Sequence, residues 1–88
     1  MSLWEKACTL LPGGVNSPVR AFGSVGGNPV FMEKAKGPYL YDSEGNELVD
    51  LVLSFGPMIL GHSQKDVIAS LKKQLEYGLS FGACTSKE

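Results

Sequence analysis

Paired cysteines, clustered histidines and long apolar runs are all missing from this sequence of 88 residues. Cys8 and Cys84 lie 76 positions apart and His62 is the only histidine, so no spacing typical of a zinc site, a disulfide framework or a catalytic triad occurs. The longest uncharged apolar-rich run, residues 51–60, is too short to span a bilayer and is interrupted by Gly56-Pro57. We therefore expect reduced thiols in a cytoplasmic protein, with no metal and no membrane partner.

A strong excess of charge of either sign is also missing. The formal net charge is −1, which provides no electrostatic surface for nucleic acid, while the apolar content of 43% indicates a globular chain. The N-terminal "MSLWEK" lacks the basic region and apolar core of a signal peptide. Neither G-x-G-x-x-G nor G-K-[ST] occurs, so the two common nucleotide-binding motifs are absent.

Charge is scarcest between Ala7 and Met32, where Arg20 is the only charged residue among 26 positions. It lies in a segment, residues 12–29, that holds five glycines and three prolines and shows no hydrophobic period. A guanidinium offers a planar fork of donors, and Ser17 adds a hydroxyl three residues earlier, so the pair is a candidate clamp for a carboxylate. The alternatives are a disordered linker, a solvated arginine, or an arginine that pairs with a distant acid such as Asp50.

The periodicity of the rest predicts an α+β fold. Ser2 and Glu5 have the spacing of a capping box and predict an N-terminal helix. Alternating apolar residues then predict an antiparallel meander of three strands, at 30–33, 39–42 and 47–53. The predicted segments are an N-terminal helix over 1–11, a long Gly/Pro loop with the candidate clamp over 12–29, the meander over 30–53, and a second helix over 63–77.

Ser63 is predicted to begin the second helix, with Asp66 completing a variant capping box. Its predicted buried stripe consists of Val67, Ile68, Leu71 and Leu75. Before this helix, Phe55 lies between Ser54 and Gly56, where an aromatic ring either stacks on a ligand or belongs to the core. We interpret His62 as a structural residue of a turn or cap.

Four stretches in this order resemble one family: "LLPGGVNSPVRAF", "GPYLYDSEGNELVDLV", "SFGPMILGH" and "GLSFGA". Together they look like the N-terminal part of the glutamate-1-semialdehyde 2,1-aminomutases, which are class-III aminotransferase-like enzymes that use pyridoxal phosphate. The second stretch is shared across the wider group, whereas the first and last are characteristic of the aminomutase branch. The resemblance covers essentially the whole chain.

The resemblance assigns substrate-binding roles. In the family the serine and arginine of this loop bind the substrate carboxylate, and these positions fall on Ser17 and Arg20. Phe55 occupies the position of an aromatic residue, usually tryptophan, near cofactor and substrate. The resemblance further implies a segment of a fold-type-I enzyme that forms homodimers, uses pyridoxal and pyridoxamine phosphate, and converts glutamate-1-semialdehyde to 5-aminolevulinate in tetrapyrrole (porphyrin) biosynthesis.

The same resemblance predicts that the large cofactor-binding domain is absent, since the family's Schiff-base lysine lies beyond the point that corresponds to Glu88. We therefore expect no catalytic residue in these 88 residues, no tight cofactor binding and no activity of the chain alone. The remaining alternatives are a small module that binds carboxylates, a truncated product with no role of its own, and the N-terminal part of a related class-III aminotransferase.

Overall fold

A computed structural model describes all residues from Met1 to Glu88 and contains two α-helices and one three-stranded antiparallel sheet. The strands are ordered β1-β2-β3, and the predicted α+β class is confirmed. Two compact units make up the chain: residues 1–34 with 41–48, and residues 35–40 with 49–88. Neither helix has the length and apolar character that crossing a membrane requires. The elements are α1 (Leu3–Leu10), β1 (Met32–Lys36), β2 (Tyr39–Asp42), β3 (Glu47–Val49) and α2 (Lys65–Leu75).

Helix α1 begins with the predicted capping box. The amide of Glu5 donates to Oγ of Ser2 at 3.1 Å, and the amide of Ser2 donates to Oε2 of Glu5 at 2.7 Å. Two amides that have no partner inside the helix are thereby satisfied. The helix ends before Leu11, which is extended because the following Pro12 disfavours helical geometry in the residue before it.

The predicted loop over 12–29 is more regular than its composition indicated. It contains two 3₁₀ turns, Pro12–Gly14 and Pro18–Ala21. Each turn begins at a proline, whose fixed φ suits the first position of a helical turn and whose missing N–H is not needed there. Sequence periodicity could not predict turns this short.

Three strand boundaries were wrong. Strand β1 begins at Met32 and not at residue 30. Strand β1 continues to Lys36 through residues predicted as a turn, because Gly37 and Pro38 suffice to connect it to β2. Strand β3 ends at Val49 and does not reach residue 53. The reason is Asp50, whose carboxylate accepts the next free amides and bends the chain out of the sheet.

The beginning of α2 was also wrong. Its N-cap is Gln64, whose side chain accepts from the amide of Val67 at 2.8 Å. Ser63 cannot cap the helix, because its φ is +53° and its hydroxyl donates to the carbonyl of Ala35 at 2.9 Å.

No apolar side chain is buried in this structure. The stripe predicted to be buried on α2 is largely exposed, with Val67 at 46%, Leu71 at 48% and Leu75 at 61% of full exposure. The accessible surface is 7441 Å² for a chain of 9.4 kDa. A folded monomer of this mass is expected to expose about 5000 Å². The chain therefore carries much more open surface than an autonomous domain of its size.

Gly14 is the exception to this open packing, since it is buried against α1. Its φ is +75°, a region that favours glycine. A Cβ placed there would lie 2.6 Å from Cζ3 of Trp4 and 2.9 Å from Sγ of Cys8. The absence of a side chain at Gly14 thus lets the first 3₁₀ turn rest on the helix.

We expect Gly14→Ala to destabilise this packing by about 1–3 kcal/mol, through both the clash and the left-handed backbone. Amide hydrogen exchange in α1 measures the loss. Gly13→Ala is the matched control, because Gly13 has a φ of +69° with no atom within 4 Å of an added Cβ. Equal effects of the two substitutions would contradict the packing role of Gly14.

Candidate functional site

The second 3₁₀ turn brings Ser17 and Arg20 together. Ser17 is the residue before the turn, and the amide of Arg20 donates to its carbonyl at 3.0 Å. Ser17 itself is extended, with φ −147° and ψ 129°, and the 3₁₀ turn begins at Pro18. The structure thus places the two residues of the predicted clamp at one short turn, with Ser17 directly before it and Arg20 within it.

Neither polar side chain of this pair is used inside the chain. Arg20 is exposed and makes no ion pair, and the hydroxyl of Ser17 has no hydrogen-bond partner. The alternative that Arg20 pairs with Asp50 is wrong, because the Asp50 carboxylate is bonded to His62. A free guanidinium fork can bind a planar anion such as a carboxylate, and a free hydroxyl can donate a further hydrogen bond to it.

Phe55, the third predicted site residue, belongs to the other compact unit. It is not a core residue, since its side chain is 83% exposed. It ends a 3₁₀ turn, Leu53–Phe55, of the left-handed kind: φ is +54° at Leu53, +52° at Ser54 and +64° at Phe55. A left-handed conformation costs residues other than glycine about 1–2 kcal/mol each. Strain of this size persists only where surrounding contacts hold it.

The contacts that hold this turn centre on Asp50, the only buried polar side chain. Its Oδ1 accepts from the amides of Val52 at 2.8 Å and Leu53 at 3.0 Å. Its Oδ2 lies 2.5 Å from Nε2 of His62. An ionised carboxylate only accepts, so Nε2 of His62 is the donor.

His62 is itself fixed by the backbone. Its amide donates to the carbonyl of Gly37 and its carbonyl accepts from the amide of Gly37, both at 2.9 Å. The sequence interpretation of His62 as a structural turn residue did not include its side-chain partner. The sequence did contain a signal of this partner, because Asp50 interrupts the apolar pattern of the third predicted strand. A charged residue that becomes buried in such a place requires a partner.

The hydrogen bond from His62 holds the pKa of the Asp50 carboxyl below its ordinary value of 3.8, and the amides of Leu53 and Val52 act in the same direction. Because the folded state has the lower pKa, the unfolded state binds the proton more readily. This pair therefore contributes stability above pH 3.8 that is lost as the pH falls through the folded pKa.

No lysine of this chain has the surroundings that are usual for a lysine that binds pyridoxal phosphate. A lysine that binds this cofactor needs a lowered pKa, which proteins usually provide by burial. Every lysine here is exposed, and no group of three potential metal ligands is present either. The seven exposed lysines are Lys6, Lys34, Lys36, Lys65, Lys72, Lys73 and Lys87.

The chain belongs to the class-III aminotransferase family, whose model matches residues 22–88. A curated relative from Thermodesulfovibrio yellowstonii, glutamate-1-semialdehyde 2,1-aminomutase, is 58% identical over 86 residues. The match covers 98% of this chain and 20% of the relative. The chain thus spans about a fifth of the length of the curated relatives that it matches, and it corresponds to their N-terminal part.

Solved structures agree with this family. An ω-transaminase from Sphaerobacter thermophilus has a TM-score of 0.77 at 29% identity, with 94% of this chain and 18% of that chain covered. A glutamate-1-semialdehyde aminomutase variant from Pseudomonas aeruginosa PAO1, solved in complex with PMP, has a TM-score of 0.78 at 21% identity, with the same coverage of 94% and 18%. At this identity, the similarity to the aminomutase structure supports only the fold.

We expect His62→Ala to raise the midpoint of the Asp50 carboxyl titration toward 3.8, because the strongest cause of its lowered pKa is removed. Carboxyl ¹³C NMR measures the midpoint. The control is Asp42, whose pKa is lowered chiefly by Asn46 and which should not move. An unchanged Asp50 midpoint would show that the His62 bond does not stabilise the carboxylate.

Proposed function

We propose that this chain is the substrate-binding N-terminal part of a glutamate-1-semialdehyde 2,1-aminomutase. The complete enzyme converts glutamate-1-semialdehyde to 5-aminolevulinate by an intramolecular transfer of the amino group. Identity of 58% to a curated aminomutase over nearly the whole chain supports this proposal. The observation that carries it is the Arg20 guanidinium, which has no acidic partner in the chain and belongs to the 3₁₀ turn that Ser17 precedes.

In this proposal each site residue has one task. The Arg20 fork binds the substrate carboxylate through two parallel hydrogen bonds, and the Ser17 hydroxyl donates a third. The exposed ring of Phe55 provides an apolar surface for the substrate. Bound pyridoxal or pyridoxamine phosphate supplies the electron sink, and the residues that hold it belong to the rest of the protein.

We further propose that the 88 residues have no aminomutase activity by themselves. The exposed lysines support this, because none is placed to hold the cofactor. The exposed apolar residues of α2 support packing against the rest of the enzyme and its homodimer partner. The free thiols of Cys8 and Cys84 fit the proposed cytoplasmic location. Turnover of glutamate-1-semialdehyde by the isolated chain would contradict the proposed inactivity.

A related class-III aminotransferase is the second candidate, and the 29% identity to an ω-transaminase favours it. The two activities differ in their requirements. An aminomutase converts glutamate-1-semialdehyde without a second substrate, whereas a transaminase needs an amino acceptor. A small module that binds carboxylates is disfavoured, because such a module needs a core and no apolar side chain is buried here.

We expect Arg20→Ala in the full-length enzyme to raise the KM for glutamate-1-semialdehyde about 100-fold, since charge-assisted hydrogen bonds to the carboxylate are lost. The kcat should change much less, because the carboxylate is held equally in the ground and transition states. Arg20→Lys keeps the charge but loses the fork, and should raise KM about tenfold. Steady-state kinetics measures both.

Lys6→Ala is the matched control for removal of an exposed positive charge outside the 3₁₀ turn of Arg20. It should leave KM unchanged. An Arg20→Ala enzyme with the KM of the parent, or a Lys6→Ala enzyme with the same increase, would contradict a carboxylate-binding role for Arg20.

A further inference from the structure

The conformation of the Phe55 turn is not favoured by its own residues. Leucine, serine and phenylalanine all adopt positive φ at consecutive positions, which only glycine does without strain. The turn's backbone bonds are local: Phe55 donates to Val52, and Gly56 and Met58 donate to Leu53. Contacts from outside the turn must therefore select this geometry over the ordinary right-handed one.

The Asp50 carboxylate provides the only side-chain hydrogen bonds to this segment. Oδ1 accepts from both amides that begin the turn, Val52 and Leu53. Such a pair of bonds to one oxygen fixes the direction in which the chain leaves β3.

His62 holds the other carboxylate oxygen and prevents Asp50 from rotating away. The side chains of Asp50 and His62 are 4% and 11% exposed, so water competes little for their bond. Both residues are also anchored to the connection between β1 and β2, because the Asp50 amide donates to Pro38 at 2.8 Å and His62 pairs with Gly37. The pair thus links the turn to two other pieces of backbone, the connection between β1 and β2 and the segment at His62.

The position of the Phe55 ring depends on this backbone. The ring is 83% exposed, so packing within the chain does not direct it. Its direction is instead set by the φ and ψ of the left-handed turn. A change in the turn would move the whole ring.

We propose that Asp50 and His62 are positioning residues that hold the left-handed turn of Leu53–Phe55 and thereby place the Phe55 ring against the substrate. This inference rests on the proposed function, in which Phe55 provides an apolar surface for the substrate. Neither residue touches the substrate. Both act through the backbone of the turn.

A double-mutant cycle in the full-length enzyme tests whether Asp50 acts through Phe55. Asp50→Ala should raise the KM for glutamate-1-semialdehyde about tenfold, with a smaller change in kcat. Combined with Phe55→Ala, it should add little further, because residues that act as a unit are not additive. Asp50→Asn should restore much of the loss, since its amide oxygen still accepts from Val52 and Leu53. Independent, additive effects of Asp50→Ala and Phe55→Ala would overturn the inference.

Hydrogen exchange of the peptide 51–58 provides a readout that does not depend on activity. Asp50→Ala should accelerate exchange at Val52 and Leu53 at least tenfold, because their acceptor is lost. The matched control is Asp42→Ala: Oδ1 of Asp42 likewise accepts two amides, from Glu44 and Asn46, in the other unit. This control should leave both the exchange of 51–58 and the KM unchanged.

Should Asp50→Ala fail to fold, His62→Ala tests the same inference, since it frees the carboxylate without removing it. It should accelerate exchange of 51–58 and raise KM about threefold, with a smaller change in kcat. Unchanged exchange in the Asp50 and His62 variants would overturn the inference. Faster exchange with an unchanged KM would overturn it as well, because the turn would then not position the ring.

The outcomes separate this inference from the proposed function. A wild-type enzyme that does not convert glutamate-1-semialdehyde would overturn the proposed function, whatever the exchange results. Normal turnover with the Asp50 effects absent would overturn only the positioning role. A Phe55→Ala enzyme with the parent's KM would show that Phe55 provides no surface for the substrate, and the positioning inference would be overturned with it.

Discussion

The bond between Asp50 and His62 is the interaction on which the second compact unit depends. It involves the only polar side chain that the chain buries, in a molecule that buries no apolar side chain. An uncompensated carboxylate in this place would be costly, so its two oxygens are occupied by two amides and one imidazole. The end of β3, the left-handed turn and the approach to α2 all follow from satisfying this one group.

In the other unit, residues 1–34 with 41–48, a glycine fixes the Pro12–Gly14 turn. Gly14 lets the Pro12–Gly14 turn lie directly on Trp4, and the Pro18–Ala21 turn with Ser17 and Arg20 follows within a few residues. The proposed substrate-binding residues thus lie on short turns in both units. The turn of Phe55 is held by Asp50, and the turn of Arg20 follows the one that Gly14 packs against α1. The surrounding apolar surface is open, which agrees with our proposal that this segment packs against further parts of an enzyme.

Local rules predicted much of the fold. The Ser2–Glu5 capping box, the existence of both helices and the antiparallel meander follow from spacing and periodicity, which the sequence displays directly. The left-handed turn and the role of His62 could not be predicted in this way, because they depend on a side-chain bond between residues 12 positions apart. The beginning of α2 was wrong for a similar reason: Ser63 bonds to Ala35, a residue 28 positions away.

The features of the predicted site likewise separate into those visible in the sequence and those that depend on tertiary structure. The isolation of Arg20 from other charges is visible in the sequence. The resemblance to a family implied that its ligand is a substrate carboxylate. Whether the guanidinium pairs with an acid elsewhere in the chain depends on the tertiary structure, in which Arg20 forms no ion pair. The contribution that we propose for Phe55 depends on backbone strain, which no propensity scale predicts for Leu-Ser-Phe.

The most direct test of this account is a crystal structure of the full-length enzyme with a bound substrate analogue that carries the carboxylate. We expect both guanidinium nitrogens of Arg20 within about 3 Å of the carboxylate oxygens, the Ser17 hydroxyl donating to one of them, and the Phe55 ring in contact with the ligand. A carboxylate bound by other residues, with Arg20 in solvent or paired with a protein acid, would contradict it.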